Sequence, residues 1–240
     1  MRVLLLGSLG QLGISISVKK PKEIELIALS KAEMDITNQD LCESKIALYK
    51  PDWIINAAAY TNVDMAEKNK DLAYKVNQNG PELISKLVAK YGGKLLHIST
   101  DFVFNGKSNN PYKPYDNAAP ISVYGLSKLY GEKNILNILK ENNRAIILRT
   151  SWLMGPYGKN FAKTILKLHS EKGTIKVVND QVGCPTSTIS LANICWEIIL
   201  KNKINNNLLF PRIMHWRDEG ITNWYEIAKE IGIIGLKLNK

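Results

Sequence analysis

The sequence predicts an α/β fold with a doubly wound parallel sheet, covered by helices on both faces, and a smaller C-terminal lobe. Short apolar runs alternate with segments of helical spacing, which is typical of strands buried on both faces. The first apolar run leads directly into a glycine-rich turn, as at the ligand-binding edge of such sheets. After residue 150 the alternation becomes irregular. We therefore expect a first domain over residues 1–150 and a lobe, interleaved with it, over residues 151–240.

The strands of the first domain are predicted from short runs rich in leucine, isoleucine and alanine. These runs occupy residues 2–6, 25–29, 53–56, 94–99 and 144–148. Each run is too short for a helix and is bounded by polar residues, glycine or proline, which favours a buried strand.

The helices between these strands are predicted from spacing and from terminating residues. A short helix follows the glycine turn, and residues 38–49 have helical spacing that stops before Pro51. Residues 72–91 predict a long helix, interrupted near Gly80-Pro81. Residues 122–141 predict the last helix of the domain.

The C-terminal lobe is predicted to contain three helices, one strand and a surface turn. The helices are at residues 161–169, 190–200 and 224–231, the strand at 175–178 and the turn at 205–207. Because these pieces do not alternate regularly, we expect them to form a lobe over the open end of the sheet.

Composition and charge exclude several classes of protein. The net charge is +10, but the lysines are dispersed and no arginine-rich block occurs, so we expect no nucleic-acid partner. No apolar run approaches the roughly 20 residues that span a bilayer. The first strand is too short for a signal peptide, so we expect a cytoplasmic protein and no membrane partner. Cys42, Cys184 and Cys195 are widely spaced and the histidines lack metal-ligand spacing, which predicts reduced thiols and no metal site.

The glycine turn between the first strand and the first helix has the spacing GxxGxxG, formed by Gly7, Gly10 and Gly13. Glycines here allow a sharp turn, a close approach of the backbone to a pyrophosphate, and tight packing of helix on strand. The helix that follows presents free N–H groups and the positive end of its dipole to phosphate. The turn therefore predicts a dinucleotide cofactor in a Rossmann-type domain.

The end of the second strand bears on the choice of cofactor. The strand runs into Ser30-Lys31 instead of an acidic residue. A carboxylate would repel the 2′-phosphate of NADPH, whereas a hydroxyl and an amine can accept it. NADPH is therefore favoured, and NADH remains the alternative. We expect Asp35 and Ile36 to lie beside the adenine.

Small residues close the third strand and are a further candidate cofactor contact. The candidate positions are Ala57, Ala59, Tyr60 and Thr61. Small side chains would let the backbone approach a bound cofactor. A tightly packed strand end is the alternative explanation.

A Ser-Thr-Asp segment and a Tyr-x-x-x-Lys pair carry the predicted chemistry. Thr100 and Asp101 follow the fourth strand, whose carboxyl end faces the ligand crevice of an open α/β sheet. Tyr124 and Lys128 are four residues apart on a predicted helix and therefore share one face. A hydroxyl, a phenol and an ammonium can together handle the proton of a carbonyl reduction, because a nearby ammonium lowers the pKa of tyrosine. For the isolated pair, a surface tyrosine and a solvated lysine are the alternative.

These motifs together resemble the extended short-chain dehydrogenase/reductases and, more narrowly, the dTDP-4-dehydrorhamnose reductase family. The resemblance covers nearly the whole chain. The matching segments are residues 7–13, 56–64 with Glu67, 99–104, 124–128 with 131–132, 149–152, 160–163, 179–186 and 224–225.

The resemblance implies reduction of the C4 keto group of dTDP-4-dehydro-L-rhamnose to dTDP-L-rhamnose by NADPH or NADH, in a monomer or homodimer. It implies that Tyr124 protonates the C4 oxygen and that Thr100 hydrogen-bonds the carbonyl. Lys128 is implied to bind the nicotinamide ribose and to tune Tyr124. Gln11 and Leu12, in the glycine turn, are implied to line the cofactor. Asp101 and Trp152 are implied to contact the substrate, with packing in the core as the alternative for Trp152.

Two departures and two rival functions accompany this resemblance. Ser15 stands near the place where some members carry a magnesium-binding glutamate, so no such metal site is expected. Family members extend several dozen residues further, with basic substrate-binding positions there, so we expect weaker substrate binding. A sugar-nucleotide epimerase or dehydratase would instead retain and regenerate NAD. A non-catalytic subunit resembling the regulatory subunit of methionine adenosyltransferase would need a partner, and the intact Thr100, Tyr124 and Lys128 argue against it.

Overall fold

A six-stranded parallel sheet organises the protein, as seen in a computed structural model that describes residues 1–140, 144–171, 174–204 and 211–238. The strands are β1 Arg2–Leu6, β2 Glu25–Leu29, β3 Trp53–Asn56, β4 Lys94–Thr100, β5 Ala145–Thr150, β6 Leu153–Met154, β7 Val182–Gly183, β8 Thr186–Ser187, β9 Ile213–His215 and β10 Thr222–Asn223. The order in the large sheet is β2-β1-β3-β4-β5-β9, and every neighbouring pair is parallel. The predicted doubly wound parallel sheet is confirmed.

Helices connect the strands and cover the sheet. They are α1 Gln11–Val18, α2 Gln39–Tyr49, α3 Val63–Lys68, α4 Lys70–Tyr74, α5 Gly80–Tyr91, α6 Val123–Ile138, α7 Phe161–Glu171, α8 Thr188–Ile204 and α9 Trp224–Lys237. Side-chain caps fix where several helices begin: Asn38, Ser122 and Asn223 accept hydrogen bonds from backbone N–H groups of α2, α6 and α9. Such caps satisfy donors that the first turn of a helix leaves free.

The two faces of the sheet are buried by different helices. Along β1, Val3 and Leu5 face α1 and α8, whereas Leu4 and Leu6 face α2, α5 and α6. This alternation follows from the two-residue repeat of a strand, and both faces need apolar residues because both are covered. The short apolar runs of the sequence therefore correspond to strands with no solvent face.

Several predicted elements differ from the structure. The predicted strand at residues 175–178 is irregular, and the sixth strand of the sheet is instead β9, which pairs with β5. Three of its four residues favour strands, but the segment pairs with no other strand among the described residues. The predicted interruption near Gly80-Pro81 takes the form of a π-helical turn at Lys75–Asn79, directly before α5 begins at Gly80. The predicted turn at residues 205–207 lies outside the described residues.

Some elements after residue 150 belong to the main sheet or pack on it, and others pack against one another. Helix α8 packs on the sheet beside α1, and β9 forms its edge, while α7 and α9 pack against one another. The division into a first domain over residues 1–150 and an interleaved lobe over residues 151–240 remains a prediction. Within the described residues no helix is long and apolar enough to cross a bilayer.

The topology creates a crevice above β1 and β3. From β1 the chain first crosses to β2 on one side, and later returns to β3 on the other side. Loops that leave the two strands in opposite directions open a crevice at their carboxyl ends, where ligands of open α/β sheets bind. The glycine turn, the end of β3 and the end of β4 all lie at this edge.

Candidate active site

The glycine turn forms a cradle that only glycine can build. Gly7 has φ 79°, and a Cβ on it would lie 2.8 Å from the backbone nitrogen of Ala58. A Cβ on Gly13 would lie 2.2 Å from the carbonyl oxygen of Gly7. Gly10 donates its N–H to that same carbonyl at 3.1 Å. The turn is therefore tightly folded against the end of β3, with the first N–H groups of α1 next to it.

Gln11 and Leu12, the two further residues predicted to contact the cofactor, differ in where their side chains lie. Gln11 donates from Nε2 to the carbonyl oxygen of Leu153 at 3.1 Å, while its Oε1 is buried without a protein partner. Leu12 is 5% exposed and packs into the core, so only its backbone could reach a cofactor. The glycine cradle and the unpartnered Gln11 oxygen both fit a dinucleotide held at this turn.

An acidic residue, Asp35, follows the end of β2 by six residues. Oδ1 of Asp35 accepts from the N–H and the hydroxyl of Thr37, each at 2.9 Å. Partial burial raises the pKa of Asp35, but the Thr37 hydrogen bonds and the charge of Lys31 outweigh it, and the net pKa is lowered. The Lys31 amine is well exposed and 3.9 Å from the Asp35 carboxylate. The side chain of Ile36 is buried and packs against Gly80, where a Cβ would lie 2.7 Å from its Cδ1.

The end of β3 is fixed by a buried asparagine that the sequence analysis did not single out. Asn77 lies in the π-helical turn, and its Oδ1 accepts from the N–H of Tyr60 at 2.8 Å. Its Nδ2 donates to the carbonyl of Tyr60 at 3.0 Å and to the hydroxyl of Ser127 at 3.1 Å. Helix α6 approaches this turn closely because Gly131 has no side chain. Asn77 therefore ties the segment that holds Ala57, Ala59, Tyr60 and Thr61 to helix α6.

Thr100, Asp101 and Tyr124 meet at the carboxyl end of β4. The Thr100 hydroxyl donates to Oδ1 of Asp101 at 3.2 Å, and the Tyr124 phenol lies beside it. Desolvation raises the pKa of Tyr124 to about 12, although the nearby Thr100 hydroxyl lowers it. Desolvation likewise raises the pKa of Asp101 to about 6. The phenol therefore carries its proton at neutral pH and can donate it.

Lys128 lies on the same helix but does not act on Tyr124 as predicted. Its amine donates to the carbonyl of Ile98 at 2.7 Å and lies 3.2 Å from Nε2 of His97. Burial lowers the pKa of Lys128 to about 8, although the charge of Glu132 raises it. The prediction that Lys128 lowers the pKa of Tyr124 is wrong for this arrangement, because the amine is held by β4 and desolvation governs the phenol.

A buried ion pair supports this end of the helix. Glu132 and Arg149 have side chains 1% and 5% exposed and are joined by two hydrogen bonds of 2.6 and 2.9 Å. The hydroxyl of Ser99 donates to the same Glu132 carboxylate at 2.5 Å. The pair thus links β4, α6 and β5 directly beneath the Thr100–Tyr124 contact.

Trp152 has an unusual backbone and an aromatic partner. Its φ is 42°, a left-handed conformation that is strained for a bulky residue. Its indole stacks on that of Trp224 with centroids 3.8 Å apart and an interplanar angle of 16°. It also fills the space over Gly183, where a Cβ would lie 2.6 Å from the ring. Both tryptophans are partly exposed, so the stack is not ordinary core packing.

Ser15, the residue from which no magnesium site was predicted, is buried on α1. Its hydroxyl donates to the hydroxyl of Thr188 at 2.8 Å inside the α1–α8 contact. Within the described residues, no group of three His, Cys, Asp or Glu side chains could hold a metal ion. The three cysteines, Cys42, Cys184 and Cys195, are free thiols.

Comparison with known proteins assigns the chain to a family. Residues 1–233 match the family described as the RmlD substrate binding domain. The chain belongs to the RmlD family. The resemblance to the dTDP-4-dehydrorhamnose reductases drawn from the sequence motifs is thereby confirmed.

Named relatives of this RmlD-family protein are similar over most of their length. A dTDP-4-dehydrorhamnose reductase of Aggregatibacter actinomycetemcomitans is 39% identical, with 95% of this chain and 76% of that protein covered. The spore coat polysaccharide biosynthesis protein SpsK of Bacillus subtilis is 40% identical, with 96% and 78% covered.

Solved structures agree with the fold. The dTDP-4-dehydrorhamnose reductase of Bacillus anthracis, solved in complex with NADP, has a TM-score of 0.88 and 37% identity, with 98% of this chain and 80% of that chain covered. The reductase of Clostridium acetobutylicum also has a TM-score of 0.88 and 37% identity, with 96% and 79% covered. The UDP-glucose 4-epimerase of Thermus thermophilus is 14% identical with a TM-score of 0.80, which shows a shared fold alone.

Three site residues of this RmlD-family protein were missed by sequence reasoning. They are Asn77, His97 and Trp224. His97 interrupts the apolar run of β4 at a position that faces a helix, and this could have marked it. Asn77 gives no comparable signal, because the π-helical turn that buries it is not visible in the sequence. Trp224 was noted only as part of a motif, without its partner Trp152.

Proposed function

We propose that this RmlD-family protein reduces the C4 keto group of dTDP-4-dehydro-L-rhamnose to the alcohol of dTDP-L-rhamnose, with NADPH as the reductant. The observation that carries the proposal is that Thr100, Asp101 and Tyr124 meet at the carboxyl end of β4, the edge of the sheet at which the glycine cradle also lies. The names of the relatives and the NADP complex of the Bacillus anthracis protein support the substrate and the cofactor.

The residues around the crevice have distinct proposed roles. Bound NADPH would supply the hydride that arrives at C4. Thr100 hydrogen-bonds the carbonyl oxygen, and Tyr124, which holds its proton at neutral pH, donates that proton to the same oxygen. The phenolate that remains is stabilised by the Thr100 hydroxyl, and solvent returns the proton. The products are thus an alcohol and the oxidised cofactor.

The cofactor is proposed to bind along the carboxyl ends of β1, β2 and β3. The N–H groups after Gly10 and the buried Oε1 of Gln11 would face the pyrophosphate and its ribose. Asp35 and Ile36 would lie at the adenine, and the exposed amine of Lys31 is available to a 2′-phosphate. Lys128 is proposed to hold the nicotinamide ribose.

The substrate is proposed to lie between the Thr100–Tyr124 pair and the Trp152–Trp224 stack. Asp101 would hydrogen-bond sugar hydroxyls, and the exposed edge of Trp152 would pack on the sugar nucleotide. The cytoplasmic location and the choice between monomer and homodimer remain predictions.

The proposal is tested by following oxidation of NADPH by the purified protein with dTDP-4-dehydro-L-rhamnose present, with identification of the sugar product. We expect turnover with NADPH and slower turnover with NADH. Tyr124→Phe should reduce the rate by roughly 10²–10⁴-fold, because it removes the proton donor, and should leave the affinity for NADPH unchanged. No turnover by folded, cofactor-binding protein would reject the proposal. Tightly retained NAD without consumption of NADPH would favour the epimerase or dehydratase alternative, and copurification with a partner enzyme the regulatory one.

A further inference from the structure

A buried polar chain joins the end of β3 to Lys128 through His97. The His97 side chain lies on β4 and has no solvent exposure. Its Nδ1 is 3.2 Å from Nδ2 of Asn56, and its Nε2 is 3.2 Å from Nζ of Lys128. Oδ1 of Asn56 in turn accepts from the N–H of Ala58 at 3.1 Å, within the strand end proposed to line the cofactor.

With the Asn56 amide oriented as in the structure, only one placement of the hydrogen atoms satisfies every hydrogen bond from Ala58 to Lys128. Because Oδ1 of Asn56 is engaged by Ala58, the Asn56 amide presents an N–H to Nδ1 of His97. A neutral imidazole accepts at one nitrogen and donates at the other. Nδ1 therefore accepts and Nε2 carries the proton, which points at the nitrogen of Lys128. Only an uncharged amine can accept it there, since an ammonium has no lone pair.

An ammonium on Lys128 requires a different arrangement. Nε2 of His97 must then accept, so the ring proton moves to Nδ1 and faces Asn56. The Asn56 amide has to turn over to offer its oxygen, which takes the acceptor away from the N–H of Ala58. We propose that His97 is a positioning residue that couples the proton on Lys128 to the orientation of the Asn56 amide, and through it to the Ala58 N–H.

The charges around Lys128 allow both states near neutral pH. Burial lowers the pKa of Lys128 to about 8, opposed by Glu132 on the same helix. Glu132 is held by Arg149 of β5, and the Tyr124 phenol, one turn earlier on α6, is uncharged in this range. Burial and the charge of Lys128 lower the pKa of His97 well below 6.5, so its ring stays neutral while Lys128 titrates.

The coupling has a consequence for the proposed reaction. Lys128 and the segment after β3 are both proposed to contact the cofactor. When the Lys128 amine gains a proton, the Ala58 N–H would lose its acceptor, so the two cofactor contacts would change together. This consequence rests on the proposed function, whereas the tautomer of His97 does not.

The ring nitrogens of His97 report the coupling directly in ¹⁵N NMR of the histidine-labelled protein, because protonated and unprotonated ring nitrogens have well-separated shifts. We expect the proton on Nε2 above the pKa of Lys128 and on Nδ1 below it. In Lys128→Met the ring should keep its proton on Nε2 at every pH, since Asn56 alone sets the tautomer. The His97 signal is assigned by its loss in His97→Gln. A wild-type ring with one tautomer across the titration of Lys128 overturns the proposal, whether or not the variants fold.

A matched pair of variants tests the effect on the reaction. The amide of His97→Gln reaches the place of Nε2 and can offer its oxygen to the ammonium, so the proton affinity of Lys128 should rise roughly fivefold, as for one hydrogen bond. The amide of His97→Asn reaches only toward Asn56 and should not raise it. The corresponding limb of the pH profile of kcat should move upward in the first variant alone. Equal shifts in both variants would assign the effect to packing and contradict the proposal. Absence of turnover in the wild type rejects the proposed function and leaves the NMR result valid.

Discussion

Replacing Arg149 by methionine removes the charge partner of a carboxylate that lies in the core. The Glu132 and Arg149 side chains are 1% and 5% exposed, and two hydrogen bonds of 2.6 and 2.9 Å join them. Breaking a buried pair by removing one partner typically lowers the free energy of unfolding by about 3–5 kcal/mol, because the remaining charge is uncompensated. For a chain of this length each kcal/mol corresponds to about 2–4 °C in Tm, so we expect a fall of roughly 6–20 °C.

Urea unfolding of four proteins measures this effect: the wild type, Arg149→Met, the double variant Glu132→Leu/Arg149→Met, and a control. The double variant should recover much of the lost stability, since it removes both buried charges. The control is Arg2→Met, which breaks the exposed Arg2–Glu25 pair, 3.0 Å apart, and should change the free energy of unfolding by about 1 kcal/mol or less. The reasoning is refuted if Arg149→Met is no less stable than Arg2→Met, or if the double variant is no more stable than Arg149→Met.

Three further predictions address the cofactor turn, the aromatic stack and the acid at the end of β4. Gly13→Ala should weaken NADPH binding roughly tenfold or more, since the new Cβ would lie 2.2 Å from a carbonyl oxygen and must open the turn; calorimetry that finds an unchanged Kd contradicts this. Trp224→Ala should raise KM for the sugar nucleotide roughly fivefold at similar kcat, because it removes a stack worth about 1 kcal/mol that holds Trp152; a fall in kcat alone would argue against that role. Asp101→Asn should stabilise the protein at pH 8 by up to about 3 kcal/mol, the value of a pKa raised from 3.8 to about 6. The gain should fade as the pH falls through 6 toward 4, because the folded protein then binds the proton more tightly than the unfolded chain; a gain independent of pH in urea unfolding would exclude this cause.

The elements of the sheet could be predicted from the sequence because their signals are local. The run at β1, the glycine turn and the helix that holds Tyr124 and Lys128 each depend on neighbours a few residues away. Two errors came from information that is not local. Residues 175–178 have strand propensity but pair with no strand among the described residues, whereas β9 is only three residues long and is held by its pairing with β5.

The site could be predicted to the level of residues but not of their contacts. A spacing of four residues puts Tyr124 and Lys128 on one face of a helix, but it does not say which way a long amine turns. Two polar groups on β4, the Ile98 carbonyl and the His97 ring, hold the Lys128 amine against the strand. The pKa of Tyr124 is therefore set by its burial, which no spacing rule contains.

The buried polar side chains near the site lie on one face of β4 and β5, at the carboxyl ends of the two strands. On the face that α6 covers, the side chains along β4 change from Leu95 through His97 to Ser99 toward the carboxyl end. Along β5 the same face runs from Ala145 through Ile147 to Arg149.

Helix α6 runs antiparallel to the two strands over this face. Its own order of polar and apolar side chains therefore places polar groups opposite the polar ends of the strands. Ile135 near its end and the capping residue Leu139 pack on the apolar ends of the strands, and its earlier residues Lys128 and Glu132 meet the polar ends. Each buried polar group therefore finds a partner on the neighbouring element, as burial requires. A polar residue at every second position near the end of an apolar strand consequently marks a covered polar face, and by that rule His97 belongs with Ser99 to the support of the site, behind the residues that would touch the substrate.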